Sequence, residues 1–356
     1  VKIAVVVGTR PEIIKMAPVV RACLSRNVPY TLLHTGQHYS YEMDGVFFEE
    51  LGLPKPDRNL EVGSGSQAYQ VGAIVTGMEP ILKEIAPDVV LVEGDTNSVL
   101  AAALAANKCG IEVGHVEAGL RSYDRTMPEE VNRILTDHLS DHLFAPTTHA
   151  RDILRGEGMA EERVHVCGNT VVDELLRQSP RADRPGLLDR FEVRHAGYAL
   201  ATVHRAENTD RPERLRGIFN GLAETSRALG IPVLAALHPR TVDRMRKERL
   251  DVDHAVRVLP PLGYLDFLGL HLHASLMLTD SGGLQEEACS LRVPCVTLRD
   301  NTERPESVHV GANVLAGAEP ARIVDAARTM VAKPRDWTNP FGDGRSGERI
   351  VDLLAA

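Results

Sequence analysis

The chain has 356 residues, 43% of them hydrophobic and 25% charged, with a net charge of −9. That length exceeds what a single core usually organises, so two domains are expected, with a ligand cleft between them. The acidic balance offers no basic stripe to a polyanion and excludes nucleic acid as the expected partner, while the five cysteines (Cys23, Cys109, Cys167, Cys289 and Cys295) are scattered and form no CxxC pair, which argues against a disulfide framework or a zinc site and for a reducing cytoplasm.

The first apolar run, "VKIAVVV", stops at Gly8 and reads as a core strand, not a leader, and no later apolar run approaches the length of a membrane span. Next come "YTLLH", "DVVLVE", "IEVGHVE", "HLFA" and "RVHVCG", then a second series, "YALATVH", "PVLAALH", "VRVL", "SLMLT", "PCVTL" and "NVLAG". Helical stretches separate these runs, a βα rhythm that predicts an α/β fold of two Rossmann-like parallel-sheet domains. The stretch "RQSPRADRPGLLDRF", residues 177–191, is read as a surface segment near the domain boundary, with the hinge there or slightly earlier, around Gly168 to Asp173; the domains are taken as 1–170 and 171–343.

Polar signatures follow the strands: "GTRPE", "TGQH", "EGDTNS", "EAGLRS", "HRAEN", "HPR", "TDSGG" and "RDNTERPE". Strand carboxyl ends form the ligand crevice of open parallel sheets, so these loops should line one cleft. In "LTDSGGLQEEA" the residues Ser281, Gly282 and Gly283 stand between strand and helix, where a bare backbone and a helix start attract a phosphate; a capped tight turn is the alternative. Glu287, one turn on, is placed for a ribose diol or is simply a solvated carboxylate, and Arg304 can bring a fixed charge to a diphosphate. "GTRPEIIK" is not a GxGxxG loop, which leaves a nicotinamide cofactor without a home. Arg10 and Lys15 bring cations toward the cleft instead, although for Lys15 alone surface charge is the simpler reading.

Asp95 and Glu117 follow neighbouring strands and fall in one site. Asp95 also suits a helix N-cap, whereas Glu117 lies in neither a helix interior nor a charge run. Glu129 and Glu130 open a helix, where the dipole favours acids, and Glu129 can pair with Arg133 four residues on. His204 ends the first strand of the second half and suits a proton donor or phosphate contact. His138 and His142, and later His271 and His273, have metal-like spacing, but they precede strands and are expected at the edge away from the crevice, so no metal is expected.

Taken together, "GTRPEIIKMAP", "EGDTNS", "GHVEAGLRS", "PEEVNR", "GNTVVDEL", "HRAEN", "TDSGGLQEEA", "RDNTERPE" and "NPFGDGRSGERI" resemble the non-hydrolysing UDP-N-acetylglucosamine 2-epimerases over essentially the whole chain. The resemblance implies a GT-B-like pair of domains facing a cleft, with the last helix, from about 344 to 356, packed back on the first. It implies interconversion of UDP-GlcNAc and UDP-ManNAc by elimination of UDP to 2-acetamidoglucal and re-addition, with no cofactor. Asp95, Glu117, Glu129 and His204 fall on the catalytic positions. Arg10, Lys15, Ser281, Gly282, Gly283, Glu287 and Arg304 fall where the family holds the nucleotide, and Phe267 where it packs the uracil. A UDP-sugar is then the partner, with no membrane or nucleic acid, in a cytoplasmic homodimer serving polysaccharide biosynthesis.

Two departures stand out. Many bacterial members bind a second UDP-GlcNAc as activator through "QHRQ" and "HRREN" segments; here these read "QHYS" and "HRAEN", placing Ser40 and Ala206 at two of the contacts. The loop from Arg121 to Pro128 is also shorter than in many relatives. A hydrolysing epimerase, an epimerase of a UDP-diacetamido-uronic acid, a glycosyltransferase and a non-catalytic sugar-nucleotide sensor are the alternatives.

Overall fold

A computed structural model of the protein describes residues 1–36, 48–49 and 51–356. The chain divides into two compact units, Val1–Glu174 with Phe341–Ala356, and Leu175–Pro340. No helix of the described residues is long and apolar enough to cross a membrane.

The first unit is built on seven strands: β1 (Ile3–Val7), β2 (Tyr30–His34), β3 (Arg58–Asn59), β4 (Val89–Glu93), β5 (Glu112–Val116), β6 (His142–Ala145) and β7 (Val164–Val166). They lie in the order β3-β2-β1-β4-β5-β6-β7, every pair parallel. Both faces of this sheet are covered, which is why β1 and β4 are buried at every residue and read as unbroken apolar runs. Alternation along β1 sends Ile3, Val5 and Val7 into one cluster with Met16, Val20, Ile350 and Val351, while Ala4 and Val6 join Ile74, Met78, Leu82 and Ala102 on the other face.

The second unit carries β8 (Ala199–Thr202), β9 (Val233–Ala236), β10 (Val256–Leu259), β11 (Leu276–Thr279), β12 (Cys295–Thr297) and β13 (Asn313–Leu315). Their order is β10-β9-β8-β11-β12-β13, again all parallel. Each apolar run singled out in the sequence therefore carries a strand; the two-residue β3, with no apolar residue to mark it, is additional. The stretch 177–191 is exposed along most of its length. Much of it is also helical, in Thr170–Ala182 and Leu187–Arg190, with Ala182, Leu187 and Phe191 as the anchors buried against the second unit's core.

In each sheet the strand order reverses once, between β1 and β4 in the first unit and between β8 and β11 in the second. Connections leave such a point in opposite directions and open a crevice above the strand ends. The loops there are Gly8–Thr9 and Gly94–Thr96 in one unit, and Val203–Arg205 and Asp280–Ser281 in the other.

Candidate active site

At the first reversal point the loops after β1 and β4 are tied by a buried carboxylate. Glu12 accepts from the Gly8 N–H at 2.7 Å, from the Thr9 hydroxyl at 2.8 Å and from the Thr96 hydroxyl at 2.8 Å. Burial raises its carboxyl to about 7 against the pull of these three bonds. Gly8 permits the close approach: a Cβ there would stand 2.1 Å from Ser98 Oγ and 2.3 Å from Thr35 Oγ1.

Beside this brace, Lys15 from the helix Arg10–Arg26 reaches two carboxylates. Its Nζ lies 2.9 Å from Glu93 Oε1, at the end of β4, and also contacts Glu117 Oε2, just past β5. Both acid side chains are almost wholly buried. Burial drives the Glu93 carboxyl well above the carboxylate range; Lys15 opposes this and Glu117 adds to it. Glu117 has a left-handed backbone, φ 70°, unusual for a residue with a side chain. Its N–H and that of Ala118 both donate to the Phe144 carbonyl, at 3.1 and 3.2 Å, which secures the turn. Gly119 completes it at φ 85°, where a Cβ would come within 2.4 Å of the Ala150 carbonyl oxygen.

Asp95 is half-buried and bound by Arg133, whose Nε and Nη2 lie 3.0 and 2.8 Å from Oδ2. Arg133 also pairs with Glu130, so the expected Glu129–Arg133 pair gives way to one on the inward side of the helix Pro128–Leu139. Burial disfavours the charged Glu130, yet N–H donors from Ser122 and Tyr123, both at 2.9 Å, with the Ser122 hydroxyl and Arg133, hold its carboxyl below the ordinary range. Glu130 thus shapes the loop after "EAGLR", and its neighbour Glu129 is exposed. Underneath, buried His115 bridges Asp137, at 2.6 Å, and the Gly94 carbonyl, at 2.8 Å. Arg121 clamps Asp137 at 2.7 Å and Glu157 through two further bonds.

In the second unit the organising group is Asp280, fully buried after β11. Its carboxylate accepts from the backbone N–H groups of His204, at 3.1 Å to each oxygen, and Arg205, at 3.0 Å, and from Asn208 Nδ2 at 3.1 Å. His204 Nδ1 lies 3.1 Å from Oδ1, with the ring partly exposed. Burial would raise the Asp280 carboxyl; His204, Asn208 and Arg205 outweigh it and hold it low. The helix Gly282–Ser290 starts immediately after, with Ser281 as an N-cap whose side chain makes no capping bond. A Cβ on Gly283 would meet nothing within 4 Å, so no neighbouring side chain crowds that side of the helix start.

Arg304 lies under that turn, buried and ion-paired to Glu286 through Nε, with Cζ 4.0 Å from the position of a Gly282 Cβ. Phe267 is half-buried on the helix Tyr264–His273, its ring 6.0 Å from that of His271. His271 is buried, with Nδ1 3.8 Å from Glu287 Oε2. Among the described residues no group of three or more His, Cys, Asp or Glu side chains is placed to hold a metal ion.

The first unit therefore gathers Lys15 with Glu117, and Asp95 with Arg133, around one strand reversal, while Arg10 and Glu129 stand exposed on their helices. The second gathers His204, Ser281, Gly282 and Gly283, with Arg304 beneath. Glu12 and Glu93 were not singled out in the sequence, and Glu130 was read only as a helix-opening acid favoured by the dipole. Ser40 lies outside the described residues; Ala206 opens the short helix Ala206–Thr209 and is exposed.

Two all-parallel sheets, each with polar loops at its point of strand reversal and with a glycine-headed helix start in the second, define a doubly wound α/β protein. A family model described as UDP-N-acetylglucosamine 2-epimerase matches residues 21–355. The UDP-N-acetylglucosamine 2-epimerase of Methanocaldococcus jannaschii is 49% identical over 360 residues, covering 99% of this chain and 98% of that protein. The UDP-2,3-diacetamido-2,3-dideoxy-D-glucuronate 2-epimerase of Pseudomonas aeruginosa is 43% identical over 359 residues, covering 99% of each. The crystal structure of the Methanocaldococcus jannaschii UDP-GlcNAc 2-epimerase in complex with UDP-GlcNAc and UDP matches with a TM-score of 0.90 at 49% identity, over 100% of this chain and 99% of that one. The chain belongs to the UDP-N-acetylglucosamine 2-epimerase family.

Proposed function

We propose that the protein interconverts UDP-GlcNAc and UDP-ManNAc at C2 without net hydrolysis. The observation that carries this reading is the pair of carboxylates Asp95 and Glu117 after adjacent strands, Asp95 against Arg133 and Glu117 against Lys15. The hydrogen on C2 is not next to a carbonyl, so its direct removal would leave an unstabilised carbanion. Departure of UDP from C1 with the bonding electrons leaves a cation-like carbon; loss of the C2 proton then places the C–H electron pair in a C1–C2 double bond and gives the neutral glycal. Re-addition of UDP, with a proton delivered to the opposite face of C2, completes the epimerisation. Two faces require two acid/base groups. Asp95, Glu117 and Glu129 supply the candidates in the first unit.

In the second unit, the N–H groups after Ser281 and the His204 ring are suited to hold the departing diphosphate, and Glu287 and Phe267 the nucleoside. UDP retained there can return, which is what separates epimerisation from hydrolysis. The chemistry calls for no redox cofactor. The same reading makes the protein a cytoplasmic homodimer. The 43% identity to a diacetamido-uronate epimerase makes that UDP-sugar the second substrate to try.

The test is turnover of UDP-GlcNAc in heavy water followed by NMR. Both epimers should acquire deuterium at C2, with UDP and free sugar not accumulating. Turnover with C2 protium fully retained, or stoichiometric release of free sugar, would overturn the proposal.

A further inference from the structure

Lys15 is one cation between two buried carboxylates. Its ammonium contacts Glu93 at 2.9 Å and Glu117 on the other side, with the two acid side chains only 1% and 4% exposed. Full ionisation of both would leave a net negative charge and a like-charge contact in a place with little water, an arrangement in which paired carboxyls titrate as a unit and one member keeps its proton.

We propose that Glu93 and Glu117 hold one proton between them at neutral pH, Glu93 carrying it, so that Glu117 stands ionised on Lys15 and ready to accept the C2 proton. Glu93 is thereby a positioning residue: it lies at the buried end of β4 and acts through Glu117. The role of Glu117 rests on the epimerase reading; the shared proton does not. The assignment of the proton to Glu93 follows from its depth, since it ends a strand buried at every residue, whereas Glu117 stands in the turn beyond β5. Burial also raises the Glu93 carboxyl well above its ordinary range, in the same direction as the geometry. The charged groups acting on Glu93 are Lys15, from the helix after β1, and Glu117, from the loop after β5. Farther along its own loop Asp95 is engaged by Arg133, and Glu12 by Gly8, Thr9 and Thr96.

When Glu117 takes the C2 proton the pair passes from one proton to two, and returns to one when that proton leaves. At alkaline pH the shared proton is lost, Lys15 is divided between two anions, and the pair no longer presents the ionised Glu117 in the same setting.

The experiment follows carboxyl carbon signals of the substrate-free protein labelled at glutamate Cδ, assigned with Glu93→Gln and Glu117→Gln. Wild-type Glu93 should be protonated at neutral pH and titrate on the alkaline side. In Glu117→Gln, which removes the like charge and leaves Lys15 against the Glu93 carboxylate, that titration should move to lower pH. In turnover, Glu93→Gln, a permanent neutral mimic, should lose the alkaline fall of the kcat/KM profile, each profile being scaled to its own maximum. A purely structural glutamine effect would lower activity without changing the shape. Glu93→Asp supplies the assignment if Glu93→Gln does not fold. Titration of wild-type Glu93 in the ordinary carboxylate range, or no movement of it in Glu117→Gln, overturns the proposal. Because this titration needs no substrate, its failure is distinct from absence of deuterium exchange at C2, which bears on the epimerase reading alone.

Discussion

Substituting Asp280 by asparagine perturbs the second unit at its organising point. The carboxylate is fully buried and receives the N–H groups of His204 and Arg205, the amide of Asn208 and the His204 ring, all within 3.0–3.1 Å. The best placement of an asparagine puts its oxygen where Oδ2 lies, keeping the His204, Arg205 and Asn208 donors. The loss is then mainly of charge assistance: a hydrogen bond to a charged group contributes roughly 1.5–3 kcal/mol against about 1 for a neutral one. Over three bonds this is about 1.5–6 kcal/mol, or roughly 3–24 °C in the melting temperature of a unit this size. The sign with pH is fixed by the lowered carboxyl of Asp280. A depressed acid stabilises the fold above its unfolded-state pKa, and the contribution disappears as pH falls through its folded value. Scanning calorimetry should therefore find the full gap between wild type and Asp280→Asn at neutral pH and a closing gap in acid. Equal melting at neutral pH, or a gap that widens on acidification, would refute the reasoning.

Amide substitution of Asp95 or Glu117 should lower turnover by roughly 10²–10⁴ while UDP still binds, as measured by steady-state kinetics and calorimetric titration. Gly282→Val should fold, since its Cβ would come no closer than 3.5 Å to Glu303 Oε2, yet lose UDP affinity; undiminished binding would place the diphosphate elsewhere. Gly119→Ala should destabilise the first unit by more than about 1–3 kcal/mol, because left-handed strain adds to an overlap with the Ala150 carbonyl, and a denaturant midpoint equal to wild type would contradict this. The resemblance puts Ser40 and Ala206 where many bacterial members contact an activator, so conversion of pure UDP-ManNAc should begin without added UDP-GlcNAc; a lag abolished by a trace of it would contradict this.

Much of the fold was legible because strands covered on both faces must be apolar throughout, and because glycine and acidic residues crowd the ends where such strands open to a crevice. β3 escaped for lack of any apolar residue. The position of Asp95 and Glu117 after consecutive strands was also readable, since adjacent strands bring their ends together. Pairing was not. Glu93 looked like the polar close of "DVVLVE", and nothing along the chain says that a lysine placed far earlier reaches it. Of the adjacent acids Glu129 and Glu130, helical rotation turns one inward and the other out, and only tertiary packing decides which. Arg304 was read for its charge alone; its engagement by Glu286 depends on a contact between two separate helical segments.

The helix Ser346–Ala355 lies on Arg10–Arg26, with Ile350 and Val351 sealed into the same apolar cluster as Ile3 and Val5, and the Gly347 N–H bonded to Asp173 at 2.8 Å. During synthesis this reverses the usual N-terminal-first order of domain folding. The contiguous segment Leu175–Pro340 can consolidate as soon as it clears the ribosome, while the unit translated first still lacks part of its own core. Until residues 341–356 emerge, the apolar face around Met16 and Val20 stays uncovered and is a natural target for chaperones. A released chain truncated after Pro340 should accordingly protect its second unit from protease and leave its first open to cleavage.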